Sequence, residues 1–447
     1  MKYWVNDKIL SVYEHFDGEI RLPEDLNFPT FFYEKTFNKR RGDLPCFTLR
    51  KSSDDGKTRL TTGYFIGVDR ISKTNKIIHV APKLNSNNKD KIKEEEKALV
   101  EVDYLQMLFE SLRNPELAKN MEELFVIKWE EDEIELESKD DFLTPFLVVQ
   151  FLGVLKSLVK KGLKKSYYRV EQNLNNRIKG KVLVGQTIKR NHFKNKFLNN
   201  VCSYEEFGLN GIENRLLKKT LEFVKPYLHS HSGLMKDSKS LEDLFNFINP
   251  AFLQVSSDFD FSELKKVRKN PFYKEYITAI DLAEKILRRF GYNISNSNKK
   301  ELKSTPPFWI DMSKLFELYV LGKLRKELDE KVEFQFKAEG GNELDYVIGN
   351  GKYVVIADAK YKPWYKYDWN EKMNDDLRQV SGYARLREVR EKFEISEDVV
   401  PNCLIIYPNI ENGKKTINTK DLTKTSFENY KNIFKIGITI PLQKDKN

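Results

Sequence analysis

Residues 344–360, LDYVIGNGKYVVIADAK, constrain the fold more strongly than any other part of the chain. Two apolar runs rich in valine and isoleucine flank Asn350-Gly351, a dipeptide typical of tight hairpin turns. The segment therefore predicts two antiparallel strands, Glu343–Ile348 and Tyr353–Asp358. A hairpin of this kind requires a sheet in the last third of the chain.

The expected register of the hairpin brings three polar side chains together. If the turn is a two-residue loop, Asp345 lies opposite Ile356, and Asp358 lies one side-chain period farther along its strand. Because side chains alternate between the faces of a strand, Asp345, Asp358 and Lys360 then point to one face. A three-residue loop without a bulge would turn one strand over, so this geometry depends on the length of the loop.

Two aspartates at the end of an apolar hairpin are costly to ionise unless a cation neutralises them. Carboxylate oxygens suit Mg²⁺, and we expect Mn²⁺ to substitute for it. Lys360 would then lie beside the metal-bound water or the scissile phosphate and stabilise developing charge. The alternative is a solvated Asp358–Lys360 pair at a strand end. The full spacing, D-x12-D-x-K across a hairpin, resembles the PD-(D/E)xK nuclease pattern, with Leu344 where that pattern often has proline.

Three further side chains fit the same pattern. Glu317 lies on a predicted helix before the hairpin, where related nucleases often supply another metal ligand. Gln379 and Tyr383 lie one helical turn apart on a later predicted helix, and they resemble a QxxxY element that lines such sites. Without the motif of the hairpin, an ordinary surface glutamate and an ordinary amphipathic pair would be the simpler interpretations.

The remaining periodicity of this region predicts a mixed sheet flanked by helices. Helices are expected at Phe308–Leu328, after a Pro-Pro pair, and at Asp375–Phe393. Further strands are expected at Val332–Phe336 and Asn402–Tyr407.

The rest of the chain divides by composition into two more regions. Short β-rich runs separated by turn residues fill the N-terminal part, for example Gly63–Val68. A polar stretch, Asn85–Lys97, reads as a linker or an exposed helix start, and helical periodicity follows it. The segment Asn293–Pro307 reads as a hinge between domains. We therefore predict a multidomain α+β protein with a β-rich N-terminal domain (1–95), a mainly helical middle region (96–295) and a C-terminal α/β nuclease domain with a mixed sheet (296–447).

The charge of the chain favours a polyanionic partner. With 77 lysines and arginines against 67 acidic residues, the formal net charge is +10. Basic side chains that contact phosphates release counterions, which favours nucleic-acid binding. The segment Asn173–Arg190 is especially basic and contains two glycines. It is predicted to contact DNA or a protein partner, and the alternative is that it forms a solvated face. Its basic residues are Arg177, Lys179, Lys181, Lys189 and Arg190.

Several expectations concern what the chain lacks. The three cysteines, Cys46, Cys202 and Cys403, are far apart, which argues against a disulfide framework or zinc site and suits the cytoplasm. The N-terminus has no apolar run of signal-peptide length, and no run of apolar residues is long enough to predict a membrane span. A GxxxxGK[ST] motif is missing, so we expect no nucleotide to bind to this chain through a P-loop.

A series of sequence blocks in one order, from about Val100 to Pro408, resembles the McrC family, the nuclease subunits of modified-cytosine restriction systems. The blocks are VEVDYLQMLFESL, NRIKGKVLVGQTIKR, VCSYEEFGLNGIENRLLKKTL, FYKEYITAIDLAEKILRRF, LFELYVLGKLRKEL, LDYVI, VVIADAKYK, DLRQVSGYAR and CLIIYP. The nuclease blocks alone indicate a superfamily, and NRIKGK and ENRLLKKTL narrow the resemblance to this family.

The resemblance implies a partner and a division of work. McrC-type subunits act with an McrB-like hexameric AAA+ GTPase, which usually recognises the modified DNA. The McrC-like chain would bind the motor, stimulate its GTPase and cut double-stranded DNA modified at cytosine. Two alternatives stay open: a stand-alone repair or recombination nuclease of the same fold, and a non-catalytic GTPase-activating subunit that bridges DNA.

Overall fold

The computed structural model shows a mixed α/β protein with several sheets. It describes residues 3–4, 8–22, 32–37, 44–51, 57–71, 74–85, 99–111, 124–128, 130–137, 143–230, 238–267, 273–295, 302–328, 331–349, 351–362, 365 and 373–442. Most of the predicted linker Asn85–Lys97 lies outside these residues.

The chain forms two compact units that do not follow its linear order. One contains residues 1–143 and 301–447, and the other contains residues 144–300. The β-rich N-terminal region and the C-terminal region thus belong to one unit, and one boundary of the second unit lies close to the boundary at residue 296 that composition predicted. The separation into three consecutive domains stays a prediction.

The N-terminal part of the first unit is built mainly from strands, as its composition predicts. Its elements are β1 (Ile9–Tyr13), β2 (Asp17–Ile20), β3 (Phe32–Phe37), β4 (Leu44–Lys51), β5 (Thr58–Thr62), β6 (Phe65–Arg70), β7 (Ile77–Ala81), β8 (Lys83–Asn85), β9 (Leu99–Glu101), α1 (Tyr104–Ser111), β10 (Phe125–Ile127) and β11 (Ile134–Glu137). Strands β2, β5, β4 and β3 form a four-stranded antiparallel sheet in that order. Leu10, Leu60 and Ile78 are buried in the core of this part.

The C-terminal part of the same unit is the predicted mixed sheet with its helices. Its elements are β15 (Leu302–Thr305), β16 (Phe308–Asp311), α7 (Met312–Leu328), β17 (Val332–Lys337), β18 (Glu343–Ile348), β19 (Val355–Ala359), α8 (Asn374–Tyr383), α9 (Arg387–Lys392), β20 (Asn402–Pro408) and β21 (Ile433–Ile438). The sheet order is β17-β18-β19-β20-β21, with antiparallel pairs up to β19 and parallel pairs after it. Leu377 and Val380 of α8 are buried in one cluster with Ile356 and Ile405 of the sheet.

The predicted helix Phe308–Leu328 is wrong in its first turn. Residues Phe308–Asp311 form β16, which lies between β6 and β10 in a five-stranded sheet of order β1-β7-β6-β16-β10. All four residues are buried, and a short apolar run does not distinguish a buried strand from a buried helical turn. Asp311 then caps α7, because its Oδ1 accepts hydrogen bonds from the backbone N–H groups of Ser313 (3.0 Å) and Lys314 (3.1 Å).

The predicted hinge Asn293–Pro307 is also partly wrong. Helix α6 continues to Ser295, and Leu302–Thr305 forms β15, which pairs with β11. Residues 296–301 lie outside the described residues. The polar composition of this stretch therefore does not prevent part of it from joining a sheet, because a partner strand satisfies its backbone groups.

The second unit contains the helices predicted for the middle of the chain and a sheet that was not predicted. Its elements are α2 (Leu143–Lys161), β12 (Ser166–Asn175), β13 (Lys181–Val182), α3 (Val184–Arg190), β14 (Asn199–Gly208), α4 (Ile212–Ser230), α5 (Ser238–Ile248) and α6 (Lys274–Ser295). Strands β12 and β14 pair over ten residues each, with β13 on the other edge of β14. The expectation of a mainly helical region misses this sheet.

The residue pattern of β12 explains why the sequence did not predict this strand. Its side chains alternate between half-buried and exposed over most of the strand, so neither face is strongly apolar.

Helix α4 packs against α6, and the hydroxyl of Tyr276 on α6 donates a hydrogen bond to Asn214 Oδ1 on α4 (2.9 Å).

Among the described residues, α2 is the one helix long and apolar enough to span a membrane. Its most apolar window is 72% buried inside the protein, as in a core helix of a globular protein. Length and composition alone are weak evidence for a membrane span.

Candidate nuclease site

The six site residues predicted from the sequence line one pocket, of about 480 Å³, in the first unit: Glu317, Asp345, Asp358, Lys360, Gln379 and Tyr383. They come from α7, β18, the end of β19 and α8. The pocket lies beside the strands of the mixed sheet, and its lining is predominantly polar and charged. The roles assigned to these six residues stay predictions.

The register of the hairpin differs from the predicted one by two residues. Ile348 pairs with Val355 and Tyr346 pairs with Ala357, so the loop spans residues 349–354. The next position in this register places Asp345 directly opposite Asp358. A shift of two residues keeps every side chain on its face, so the predicted common face is retained.

Contacts with neighbouring segments explain why the loop is longer than two residues. The backbone N–H of Gly349 donates to the carbonyl of Lys331 (2.9 Å), and that of Gly351 donates to the carbonyl of Phe393 (2.8 Å). These hydrogen bonds anchor the loop to elements outside the hairpin, and residues Gly351–Tyr353 form a 3₁₀ turn. The two-residue loop is therefore wrong, whereas the antiparallel hairpin is confirmed; Asn350 itself lies outside the described residues.

Lys360 is held by a chain of polar contacts. Its Nζ lies 2.6 Å from Asp358 Oδ2 and donates a hydrogen bond to Gln379 Oε1 (2.9 Å). Gln379 Nε2 in turn donates to the hydroxyl of Tyr383 (2.7 Å). Gln379 and Tyr383 thus meet one helical turn apart, and together they fix the direction of the Lys360 ammonium group.

Glu317 faces the same pocket from α7. Its Oε2 accepts a hydrogen bond from Lys314 Nζ (3.0 Å), and its backbone carbonyl accepts one from the hydroxyl of Tyr346 (2.6 Å). Tyr346 neighbours Asp345 on β18 and is fully buried, so this contact fixes α7 against the strand that carries the aspartate.

Asp345 is the acid of the pocket whose pKa is most affected by its surroundings. Burial raises the pKa of Asp345 well above its usual range, and the negative charges of Glu317 and Asp358 raise it further. A hydrogen bond from the Ala359 N–H to Asp345 Oδ2 (2.8 Å) acts in the opposite direction. Burial by itself would lower the pKa of Lys360, but the Asp358 and Asp345 carboxylates raise it above its usual value.

The donor set suits a hard divalent cation by its chemistry. Asp358 is 3% exposed, and apart from the Lys360 ion pair its Oδ2 has no hydrogen-bond partner among the described residues. Asp345 carries a penalty for ionisation that a bound cation would remove. In their present positions, no three acidic, histidine or cysteine side chains of the described residues are already grouped as metal ligands. The carboxylates fit such an ion once Asp358 exchanges its lysine for the cation.

Several residues of the pocket were missed from the sequence. Tyr64 reaches it from the N-terminal part, and Gln335 reaches it from β17. Lys362 also lines the pocket, and its Nζ donates a hydrogen bond to Asp376 on α8 (2.6 Å), which also accepts one from the hydroxyl of Tyr365. Lys362 follows the predicted Lys360 by two residues, so the strand periodicity could have indicated it. No local pattern points to Tyr64, which precedes the hairpin by some 280 residues of sequence.

The basic segment lies in the second unit, and none of its residues lines the pocket. All five of its predicted binding residues are exposed: Arg177, Lys179, Lys181, Lys189 and Arg190. Lys179 Nζ pairs with Glu206 Oε1 (2.9 Å) and lies 3.9 Å from the centre of the Tyr204 ring. Large apolar side chains are exposed on the same elements and their connections, a feature that the sequence did not show: Tyr167, Ile178, Val184, Phe193, Phe197 and Phe207.

The fold and the pocket define a multidomain mixed α/β protein with an acidic, lysine-containing site. A family model described as McrBC 5-methylcytosine restriction system component matches residues 60–408, more than half of the chain. The chain therefore belongs to this family, and the predicted resemblance is confirmed. No curated protein matches the chain at a significant level.

Two solved structures from Thermococcus gammatolerans are similar to the chain. One is described as a refined half-complex from a tetradecameric assembly of McrB AAA+ hexamers with bound McrC; it shares 14% identity over 97% of this chain and 94% of its own, with a TM-score of 0.36. The other, the cryo-EM structure of the McrBC complex, shares 13% identity over 71% and 87%, with a TM-score of 0.27. Identities and TM-scores this low add nothing to the family match.

Proposed function

We propose that this chain is the Mg²⁺-dependent endonuclease subunit of a modification-dependent restriction system, with a PD-(D/E)xK catalytic domain. The observation that carries the proposal is the pocket in which Asp345 stands opposite Asp358, with Lys360 and Glu317 beside them. Family membership supports the restriction system, and the geometry of the pocket supports phosphodiester hydrolysis.

Each of the residues has a separate task in this proposal. Asp345, Asp358 and Glu317 would hold the cation, because Mg²⁺ prefers oxygen ligands and these three carboxylates line the pocket together. The ion supplies Lewis acidity and lowers the pKa of attacking water. Lys360 directs an ammonium group at the scissile phosphate and stabilises negative charge as it develops. Gln379 orients Lys360 through its amide oxygen, and Tyr383 holds Gln379.

The partners follow from the family. We propose that the chain binds an McrB-like hexameric AAA+ GTPase in the cytoplasm, stimulates its GTP hydrolysis, and cuts double-stranded DNA modified at cytosine. The chain itself would bind no nucleotide, because its sequence contains no P-loop motif.

The decisive test is cleavage by an Asp358→Asn protein. Removing one carboxylate charge leaves the shape of the side chain unchanged but weakens cation binding, so cleavage should fall by several orders of magnitude. The assay is cutting of cytosine-methylated plasmid with the motor, GTP and Mg²⁺. An exposed acid that does not line the pocket provides the matched control, Asp398→Asn, which should cut normally. Near-normal cutting by the folded Asp358→Asn protein would refute the assignment.

A further inference from the structure

The polar floor of the pocket extends beyond the two aspartates onto β17. Gln335 occupies the register position opposite Asp345, between Phe334 and Phe336, which both pair with β18. Since Asp345 in turn stands opposite Asp358, the three adjacent strands present Gln335, Asp345 and Asp358 in one row. Gln335 lines the pocket together with the two aspartates.

A second row runs parallel to the first. Lys337 pairs with Glu343 across β17 and β18, and the register of the hairpin places Glu343 opposite the position of Lys360. Lys337, Glu343 and Lys360 all line the pocket. Residues two apart on a strand share a face, so Gln335 and Lys337 belong to the same surface as the predicted catalytic residues.

The backbone of Gln335 is strained. Its φ is +53°, in the left-handed region, although it lies within a strand and is not glycine. A conformation of this kind costs about 1–3 kcal/mol and persists only where the surrounding structure enforces it, most often at functional sites. At this position the regular pairing of β17 with β18 is interrupted, since Gln335 and Asp345 are not paired although the residues on both sides are. The side chain of Gln335 is half-buried and lines the pocket.

The chemistry of the two side chains is complementary to an anion. No hydrogen bond of the Gln335 side chain to another described residue is present, so its amide N–H groups are available to a ligand. Lys337 is exposed and adds a positive charge. Phosphate oxygens only accept hydrogen bonds. The acids that line the pocket, Asp311, Glu317, Glu343, Asp345 and Asp358, would repel a polyanion, and its lysines Lys314, Lys360 and Lys362 are already paired with acids. The charge of Lys337 and the neutral amide donor of Gln335 offset part of that repulsion.

We propose that Gln335 and Lys337 form a subsite for a DNA backbone phosphate next to the scissile one. The proposal rests on the proposed nuclease function and adds substrate-binding residues that the D…DxK motif does not contain. Neighbouring strands are about 4.8 Å apart, so β17 lies roughly 10 Å from β19. That separation of the strands places the subsite beside the two aspartates and not over them, where a neighbouring phosphate of the same DNA strand would lie.

Binding rather than cleavage provides the primary test. Full-length protein carrying Asp358→Asn is titrated with a fluorescent, unmodified DNA duplex at several salt concentrations, and fluorescence anisotropy gives Kd. Adding Lys337→Gln should weaken binding and reduce the slope of log K against log salt by about 0.9, the loss of one phosphate contact. The control Lys420→Gln removes an exposed lysine that does not line the pocket, and it should leave the slope unchanged.

Gln335 requires a control for its backbone. Gln335→Ala should weaken binding roughly tenfold with an unchanged salt slope, because it removes a neutral donor to a charged group. Gln335→Gly should relieve the left-handed strain and not lower Tm, yet weaken binding to the same extent. Glu394, exposed and also left-handed (φ +54°), provides the matched variant Glu394→Gly, which should relieve strain and leave DNA binding unchanged.

The outcomes separate this proposal from the one on which it rests. If the Asp358→Asn chain cuts DNA normally with its motor, the nuclease assignment fails and the subsite fails with it. If cutting is lost as expected, but the Gln335 and Lys337 variants bind DNA with unchanged affinity and salt slope, the nuclease assignment stands and the subsite is overturned. Weakened binding in both variants, with Lys337→Gln alone reducing the slope, supports the subsite.

Discussion

A buried carboxyl lies behind the pocket, and no sequence pattern singled it out. Glu14 is 1% exposed, its Oε1 accepts a hydrogen bond from the hydroxyl of Tyr361 (3.2 Å), and its Oε2 has no hydrogen-bond partner among the described residues. Tyr361 lines the pocket and follows Lys360 directly. Burial raises the pKa of Glu14 to about 8, although the Tyr361 hydroxyl opposes this shift.

This residue should make the stability of the protein depend on pH. Folding raises its pKa from 4.5 to about 8, so the folded state keeps a proton that the unfolded state releases. The corresponding stabilisation is complete below pH 4.5 and disappears as the pH rises to about 8, a change on the order of 5 kcal/mol.

Glu14→Gln should remove this dependence, because the amide keeps the size of the side chain and does not ionise. At pH 8 the variant should be more stable than the natural chain by several kcal/mol, and near pH 4.5 the two should converge. Urea unfolding at a series of pH values measures the difference. A difference that does not vary with pH would show that Glu14 does not titrate in this range.

At the scale of the element, β16 depends on a glycine in its neighbour. Gly67 of β6 pairs with Trp309, and its φ is +150°. A Cβ atom at this position would overlap the backbone carbonyl of Phe308, which cannot move without breaking the sheet. The close approach of the two strands therefore requires a residue without a side chain.

Gly67→Ala should destabilise the protein by roughly 3 kcal/mol or more, because the clash is with backbone and not with the end of a flexible side chain. The unfolding free energy in urea measures the loss. Gly185→Ala is the matched control, since a Cβ there would meet no neighbouring atom. Equal stability of the two variants would contradict the tight pairing of β6 with β16.

The basic segment of β13 and α3 permits a second test at this scale. Exposed lysines on a short strand and beside it suit contact with an acidic or phosphate-bearing partner, and the ion pair of Lys179 with Glu206 is itself exposed, so its loss should cost little stability. Lys179→Gln with Lys181→Gln should therefore weaken GTPase stimulation or DNA retention while Tm stays within a degree or two. The pair Lys225→Gln with Lys265→Gln, also exposed and in the same unit, provides the control. If both assays are unchanged in both double variants, the segment is a solvated face.

At the scale of the whole molecule, the order of the chain does not match its compact units. A simple division would assign motor binding to residues 1–297 and cutting to the remainder. The structure contradicts the independence of these pieces, because β16 lies between β6 and β10, and both of these strands precede residue 297. The Trp309 Nε1 group also donates a hydrogen bond to buried Asp69 Oδ2 (2.8 Å).

Two fragments should therefore behave differently. A chain ending at residue 297 loses β16 and exposes the edges of β6 and β10, so we expect it to aggregate through residues 1–143 or to show only the transition of residues 144–297. The fragment of residues 144–300 corresponds to a compact unit and should unfold cooperatively. Circular dichroism melting of both fragments provides the measurement. A monomeric 1–297 fragment whose residues 1–143 melt in a second cooperative transition would show that this part of the first unit folds without β16.

Local sequence determined the strands and the common face of the site. The apolar runs around Asn350 predicted β18 and β19, and the period of two put Asp345, Asp358 and Lys360 on one side. The predicted register was wrong by two residues, but the predicted face was right, because a shift of two residues leaves every side chain on the same face of the strand. The helical spacing of Gln379 and Tyr383 likewise held, since it depends only on residues within one turn.

Only the tertiary structure decided the loop length, the true partners of β16 and the membership of Tyr64 and Gln335 in the pocket. Each of these depends on contacts between segments distant in sequence: Gly351 with Phe393, and Gly67 with Trp309. Periodicity records which face of an element is apolar, but it does not record which other element covers that face. Pairings between distant strands are selected by the packing of the whole unit, and for that reason they appear only when the chain is folded.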